Sequence, residues 1–180
     1  MGGRWKSVRV PLGVTIGIVV LVVWRVASVW SSLPDTVASH FAASGEPNGF
    51  MSRAGFFWVM GLVGGGTIAL LFAAPMFLRK LPTHMINVPN RDYWLATDAR
   101  RIEALDRLAS YLGWMAMATA ALLAVAIELA VEANVHRTGF ASGPFLVCLG
   151  AYFVVVLAGT IIKMRVLAEP PQETPEESSP

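Results

Sequence analysis

Charge is what this chain has least of. Only 14% of its 180 residues are Asp, Glu, Lys or Arg, against 55% hydrophobic residues, whereas a soluble domain carries roughly 25% charged residues. With a mean hydropathy of +0.58, the composition excludes an ordinary soluble domain and makes a lipid bilayer the expected solvent and partner. Cysteine is nearly absent too: the single Cys148 lies in an apolar run, which excludes an intrachain disulfide framework and a cysteine-based metal cluster. HExxH, GxSxG and Walker-type loops are missing, so no catalytic residue, resident metal or cofactor is assigned. The net charge of +2 and pI near 9.0 invite a nucleic-acid reading. The basic residues flank apolar runs, however, and form no basic face or aromatic-interleaved stripe, so nucleic acid is not an expected partner.

What the chain does contain is four long apolar runs, at residues 10–30, 56–78, 109–131 and 144–162. A helix needs about 20 residues to cross the hydrocarbon layer. In lipid every backbone polar group must be bonded internally, and the runs lack the two-residue alternation of a membrane barrel, so each is expected to be a helix. The predicted fold class is an all-α membrane protein: a four-transmembrane-helix bundle over residues 1–167, with a small extracytoplasmic hairpin loop and a cytoplasmic amphipathic helix. Residues 168–180, proline-rich and acidic, are expected to be a disordered cytoplasmic tail. The basic start MGGRWKSVR resembles a signal-peptide n-region, but the following run is too long and ends without a small-residue cleavage pattern. It reads as a retained span.

Lysine and arginine set the orientation. Arg4, Lys6, Arg9, Arg79, Lys80, Arg91, Arg100, Arg101, Arg107, Lys163 and Arg165 fall on one side; Arg53 and Arg137 fall on the other. Both termini are therefore expected in the cytoplasm, with residues 31–55 and 132–143 outside. Within the spans, Arg25 and Glu128 lie at similar depth below the outer ends of the first and third runs and are a candidate intramembrane charge pair; independent snorkelling and a ligand or proton site are the alternatives. Gly61 and Gly65, widened by Gly64 and Gly66, predict a close approach of the second span to Ala116, Ala120 and Ala124 of the third, or a homo-oligomer contact. Pro75 predicts a kink.

Two polar segments carry the remaining candidates. In the outer one, Glu46-Pro47-Asn48-Gly49 fits a type I turn, with flanking residues 40–44 and 50–53 able to pair as a hairpin. His40, Phe41, Glu46 and Asn48 are its candidate binding residues. His40 could order the loop by hydrogen bonding, titrate or bind a metal with His136 and Asp35 or Glu46. In the inner segment, Asn90, Tyr93 and Trp94 are the candidates, with Tyr93, Trp94 and Leu95 expected at the membrane interface. Thr97 is positioned to cap a helix whose apolar positions Ile102, Leu105, Ala109 and Leu112 share one face, with Glu103 and Arg107 paired at i, i+4 on another.

The pair LPDTVASHFAASGEPNGFMSR and INVPNRDYWLATDARR resembles a bacterial membrane family known as domain of unknown function 1648, over roughly residues 15 to 105. A related N-terminal part occurs in SdpI-type immunity proteins, though this chain has no counterpart of their GIRTPWT-like segment. The resemblance implies a four-span bacterial inner-membrane protein. Three function classes follow: a non-enzymatic sensing, immunity-like or partner-binding protein acting on another membrane or regulatory protein; a small-solute or ion carrier using Arg25 and Glu128; and a membrane enzyme with an outer-face metal site. The first ranks highest, because the carrier lacks a discontinuous helix pair or inverted repeat and the enzyme lacks a motif.

Overall fold

The computed structural model describes residues 6–169; the expected roles of Arg4 and of most of the acidic tail fall outside them. Among the described residues four helices are long and apolar enough to cross a membrane: α1 (Lys6–Val29), α2 (Arg53–Leu78), α4 (Asp98–His136) and α5 (Ser142–Ala168). Between α1 and α2 lie a short 3-10 turn and an antiparallel hairpin of β1 (Thr36–Phe41) and β2 (Pro47–Ser52); a one-turn helix, α3 (Arg91–Trp94), precedes α4. The chain is thus a multi-pass helical membrane protein with a small two-stranded sheet at one end.

Helix α4 is the axle. Helices α1, α2 and α5 all pack along it, and α3 and β1 pack on its two ends. The helix expected to run from Thr97 into the third span is the start of α4, capped by the Thr97 hydroxyl, which accepts from the Arg100 amide at 3.3 Å. Near the end that bears the termini, α1, α2 and α4 converge on Gly113. A Cβ there would stand 3.2 Å from Pro11 and 3.6 Å from Phe72. Toward the hairpin the helices diverge, leaving a cleft of about 600 Å³ between α1 and α2, floored by α4. The expected approach of α2 to α4 occurs, but through one glycine of the four. Gly64 alone touches α4, with 3.0 Å between an added Cβ and Leu123, while Gly61, Gly65 and Gly66 face open space.

The hairpin forms, but its turn is displaced. The amide of Gly45 donates to the Ala42 carbonyl, and that of Ala42 to the Glu46 carbonyl, each at 2.8 Å. The connection is therefore Ala43-Ser44-Gly45, a three-residue loop with glycine in the left-handed region at φ 88. Pro47, Asn48 and Gly49 are strand residues. Gly45 wins over the Pro-Asn-Gly alternative because it supplies the positive φ that this loop requires, while a proline, lacking an amide donor, is acceptable as the first residue of a strand. Gly49 then serves another purpose: a Cβ there would come within 2.8 Å of the His40 Cβ, where the ladder is irregular.

Replacing Gly45 with alanine is expected to lower stability in detergent by roughly 1–3 kcal/mol, because the new Cβ meets the Phe140 carbonyl as well as an unfavourable φ. Gly61→Ala, which enters open space in the interior of α2, should not lower the melting temperature; an equal loss in both variants would refute the assignment of the turn.

Candidate functional site

The hairpin end is held to the bundle by three polar attachments. Asn134, buried on α4, treats β1 as a neighbouring strand would: its Oδ1 accepts from the Ala38 amide at 2.7 Å and its Nδ2 donates to the Ala38 carbonyl at 3.0 Å, and also to Ala130 O at 2.8 Å. Arg53, at the start of α2, donates through Nη1 to the carbonyls of Trp30 and Leu33 at 2.7 and 2.8 Å, pairs with Asp35 at 3.2 Å and stacks over Trp30. Phe140 donates its amide to Gly45 O at 2.8 Å and stacks on Phe41 with centroids 5.0 Å apart. Beneath them Leu33, Val37, Phe56 and Ala130 form a buried cluster.

A second polar group joins α1 to α4. The Arg25 Nε lies 3.0 and 3.1 Å from the two carboxylate oxygens of Glu128, and its Nη2 reaches Glu128 at 2.9 Å and also Glu132. Glu132 in turn meets His136 Nε2 at 3.0 Å. Three residues spaced four apart on α4 thus form a row of ionic groups that ends at the exposed His136. The row matters because an intramembrane charge is tolerated when protein groups pair with it.

At the opposite end, the inner segment closes on the C-terminus of α5. Trp94 is fully buried at 0% exposure, and its indole donates to Leu167 O at 2.7 Å. Asn90, in the left-handed conformation at φ 52, donates to Ala168 O at 3.3 Å. Both bonds satisfy carbonyls that a helix end leaves without intrahelical partners. Arg107 lies over the Trp94 ring at 5.1 Å and Arg100 over Tyr93 at 4.2 Å.

Residues 16–64 match the family model described as Domain of unknown function (DUF1648). None of the curated proteins and none of the solved structures matches the chain. The DUF1648 match contains Arg25, His40, Phe41, Glu46, Asn48 and Arg53, and it ends within α2, so it is narrower than the resemblance over residues 15 to 105. The inner segment lies beyond it. So do Glu128, Glu132 and Asn134, the α4 groups to which the DUF1648 part is fastened.

The sequence candidates divide accordingly. His40, Glu46 and Asn48 are exposed on the hairpin, and Phe41 is half-buried against Phe140. Trp94 is not an interfacial side chain but a core one, because its ring packs on Ala104 and Leu167 and its only polar atom is engaged. The outer-face metal site expected from His40, His136 and a carboxylate does not form: among the described residues no group of three or more His, Cys, Asp or Glu could hold a metal ion. Glu132, Asn134 and the Arg53 clamp were not among the candidates. Glu132 had a signal, its position four residues from both Glu128 and His136; Asn134 had only its polarity at the end of an apolar run.

A double-mutant cycle on Arg25→Leu and Glu128→Gln in detergent should give a coupling of about 0.5–3 kcal/mol, the range for contacting residues. Strictly additive losses would refute the ion pair. Asn134→Leu should cost about 1–3 kcal/mol by stranding the Ala38 backbone groups, with hydrogen exchange at Ala38 accelerated; unchanged protection there would refute the clamp.

Proposed function

We propose that this chain is a bacterial inner-membrane protein, with both termini in the cytoplasm, that acts without catalysis by presenting its hairpin outside the membrane to a protein partner, in a sensing or immunity-like role. The observation that carries this reading is the fixing of the hairpin from two directions, by Asn134 and by Arg53. A surface already ordered avoids the entropy loss that a flexible loop incurs on binding. That surface offers His40, Glu46 and Asn48 together with Phe50, a large apolar side chain 64% exposed on β2. An aromatic residue surrounded by polar groups is a common anchor in protein recognition.

The orientation rests on the excess of lysine and arginine at the end bearing the termini. The immunity-like element rests only on the resemblance of this segment to the N-terminal part of SdpI-type proteins, whose GIRTPWT-like segment has no counterpart here. The carrier reading is weaker: Arg25 is engaged by two carboxylates across a helix seam, which favours a bundle-holding role. The enzyme reading rests on an outer-face metal site, and among the described residues no group of three or more His, Cys, Asp or Glu could hold a metal ion.

In a Cys148→Ala background, Asn48→Cys should react with an impermeant maleimide in intact cells. Labelling only after lysis would reverse the proposed orientation. A photoreactive side chain at position 50 should give one discrete protein adduct in intact cells, lost when Asn134→Leu releases the hairpin; adducts with lipid alone would overturn the partner-binding reading.

A further inference from the structure

The α4–α5 seam, at the end where α5 stops, contains a cation with no counter-ion among the described residues. A pocket of about 480 Å³ there is lined by Ile102, Glu103, Asp106, Arg107, Ser110 and Lys163. Both carboxylates are already engaged. Glu103 takes Arg107 at 2.7 and 3.1 Å through Nη2 and Nε, and Asp106 takes Arg79. Arg101 spends one guanidinium nitrogen on the carbonyls of Arg79 and Leu81. Arg79, Arg101, Arg107 and Lys163 therefore stand against two acidic side chains, and no carboxylate of the described residues pairs with Lys163. Its neighbours Ile162 and Met164 are 61% and 51% exposed on the lipid-facing side of α5, whereas Lys163 is half-buried toward the seam.

A partly buried ammonium next to a guanidinium is costly unless an anion is supplied. Lys163 lies about 7.5 Å inside the end of α5, at 1.5 Å per residue, a depth suited to the boundary between acyl chains and headgroups. The anion abundant there is lipid phosphate, which accepts short charge-assisted hydrogen bonds from both lysine and arginine. We propose that Lys163 and Arg107 hold the phosphate of an anionic phospholipid headgroup in this pocket, with the acyl chains lying along the exposed face of α5. Arg107 bonds Glu103 through Nε and Nη2, which leaves Nη1 for the phosphate. The site does not depend on which side of the membrane the termini occupy.

The test uses the full-length protein in mixed vesicles of phosphatidylglycerol and phosphatidylcholine, with the retained lipid counted by native mass spectrometry. The wild-type chain should keep phosphatidylglycerol in preference. Lys163→Gln should reduce that preference about fivefold, the scale for one lysine near a lipid surface, while Lys163→Arg retains it. Arg165→Gln, exposed and outside the pocket, should behave as wild type, and an unchanged melting temperature for Lys163→Gln would show that the variant folds. No preference in the wild type, or an equal preference in Lys163→Gln, would overturn the site. Stabilisation by inorganic phosphate alone, with displacement of the lipid, would assign the pocket to a free anion and overturn the lipid.

Discussion

A helix of 39 residues is about 58 Å long, against roughly 30 Å of hydrocarbon. This surplus in α4 is the constraint on which the rest of the structure depends. A span that only crosses the bilayer ends where water begins and offers nothing to pack against outside it. Helix α4 continues at both ends, so each polar segment of the chain has a rigid post to lean on. The hairpin takes Ala130, Asn134 and the residues around them; the inner segment takes Ala104, Arg107 and the start of the helix. The surplus turns can be wetter than the spanning turns, and that is where most of the polar side chains of α4 occur.

Both attachments use the same economy of backbone groups. An open strand edge and a helix C-terminus each present amides or carbonyls that need partners, and burying them unpaired costs free energy. Asn134 supplies a donor and an acceptor to one residue of β1, the pattern a peptide group would offer. Trp94 and Asn90 supply donors to the last carbonyls of α5. Apolar packing then makes each arrangement stable where water is present: a fully buried side chain such as Val37 or Trp94 contributes on the order of 2 kcal/mol or more. Within the spans that driving force is absent, and helix contacts rely on close packing and internal polar bonds instead. The Arg25–Glu128–Glu132 group and the tight meeting of Pro11, Gly113 and Phe72 meet that need for α1 and α2.

The bundle was legible in the sequence because hydropathy and span length are properties of contiguous residues. The depth of Arg25 and Glu128 could likewise be counted from the ends of their runs. Other features depend on what lies across the gap. Small-xxx-small spacing identifies a face that permits close approach, but not which helix arrives; here α1 occupies much of α4, and Gly61 and Gly65 are left facing a cleft. The turn was misplaced because two candidate glycine segments lie four residues apart, and the choice between them depends on the strand register and on Phe140, nearly 100 residues along the chain. Trp94 looked interfacial because tryptophan commonly is; its true partner is the Leu167 carbonyl, and a backbone acceptor leaves no trace in side-chain identity.

The division of labour between the DUF1648 segment and α4 bears on function. The segment provides α1, the hairpin and the first half of α2, while the groups that position it come from α4, outside the match. The larger cleft, between α1 and α2, is lined by apolar residues. Arg25 and Glu128, one from each part, line a second cavity of about 420 Å³, in which each already has the other as its ionic partner. Both parts also build the hairpin with its exposed His40, Asn48 and Phe50. In the function proposed above, that framework holds a recognition surface still, and the pairing of Arg25 with Glu128 and Glu132 serves to hold the bundle.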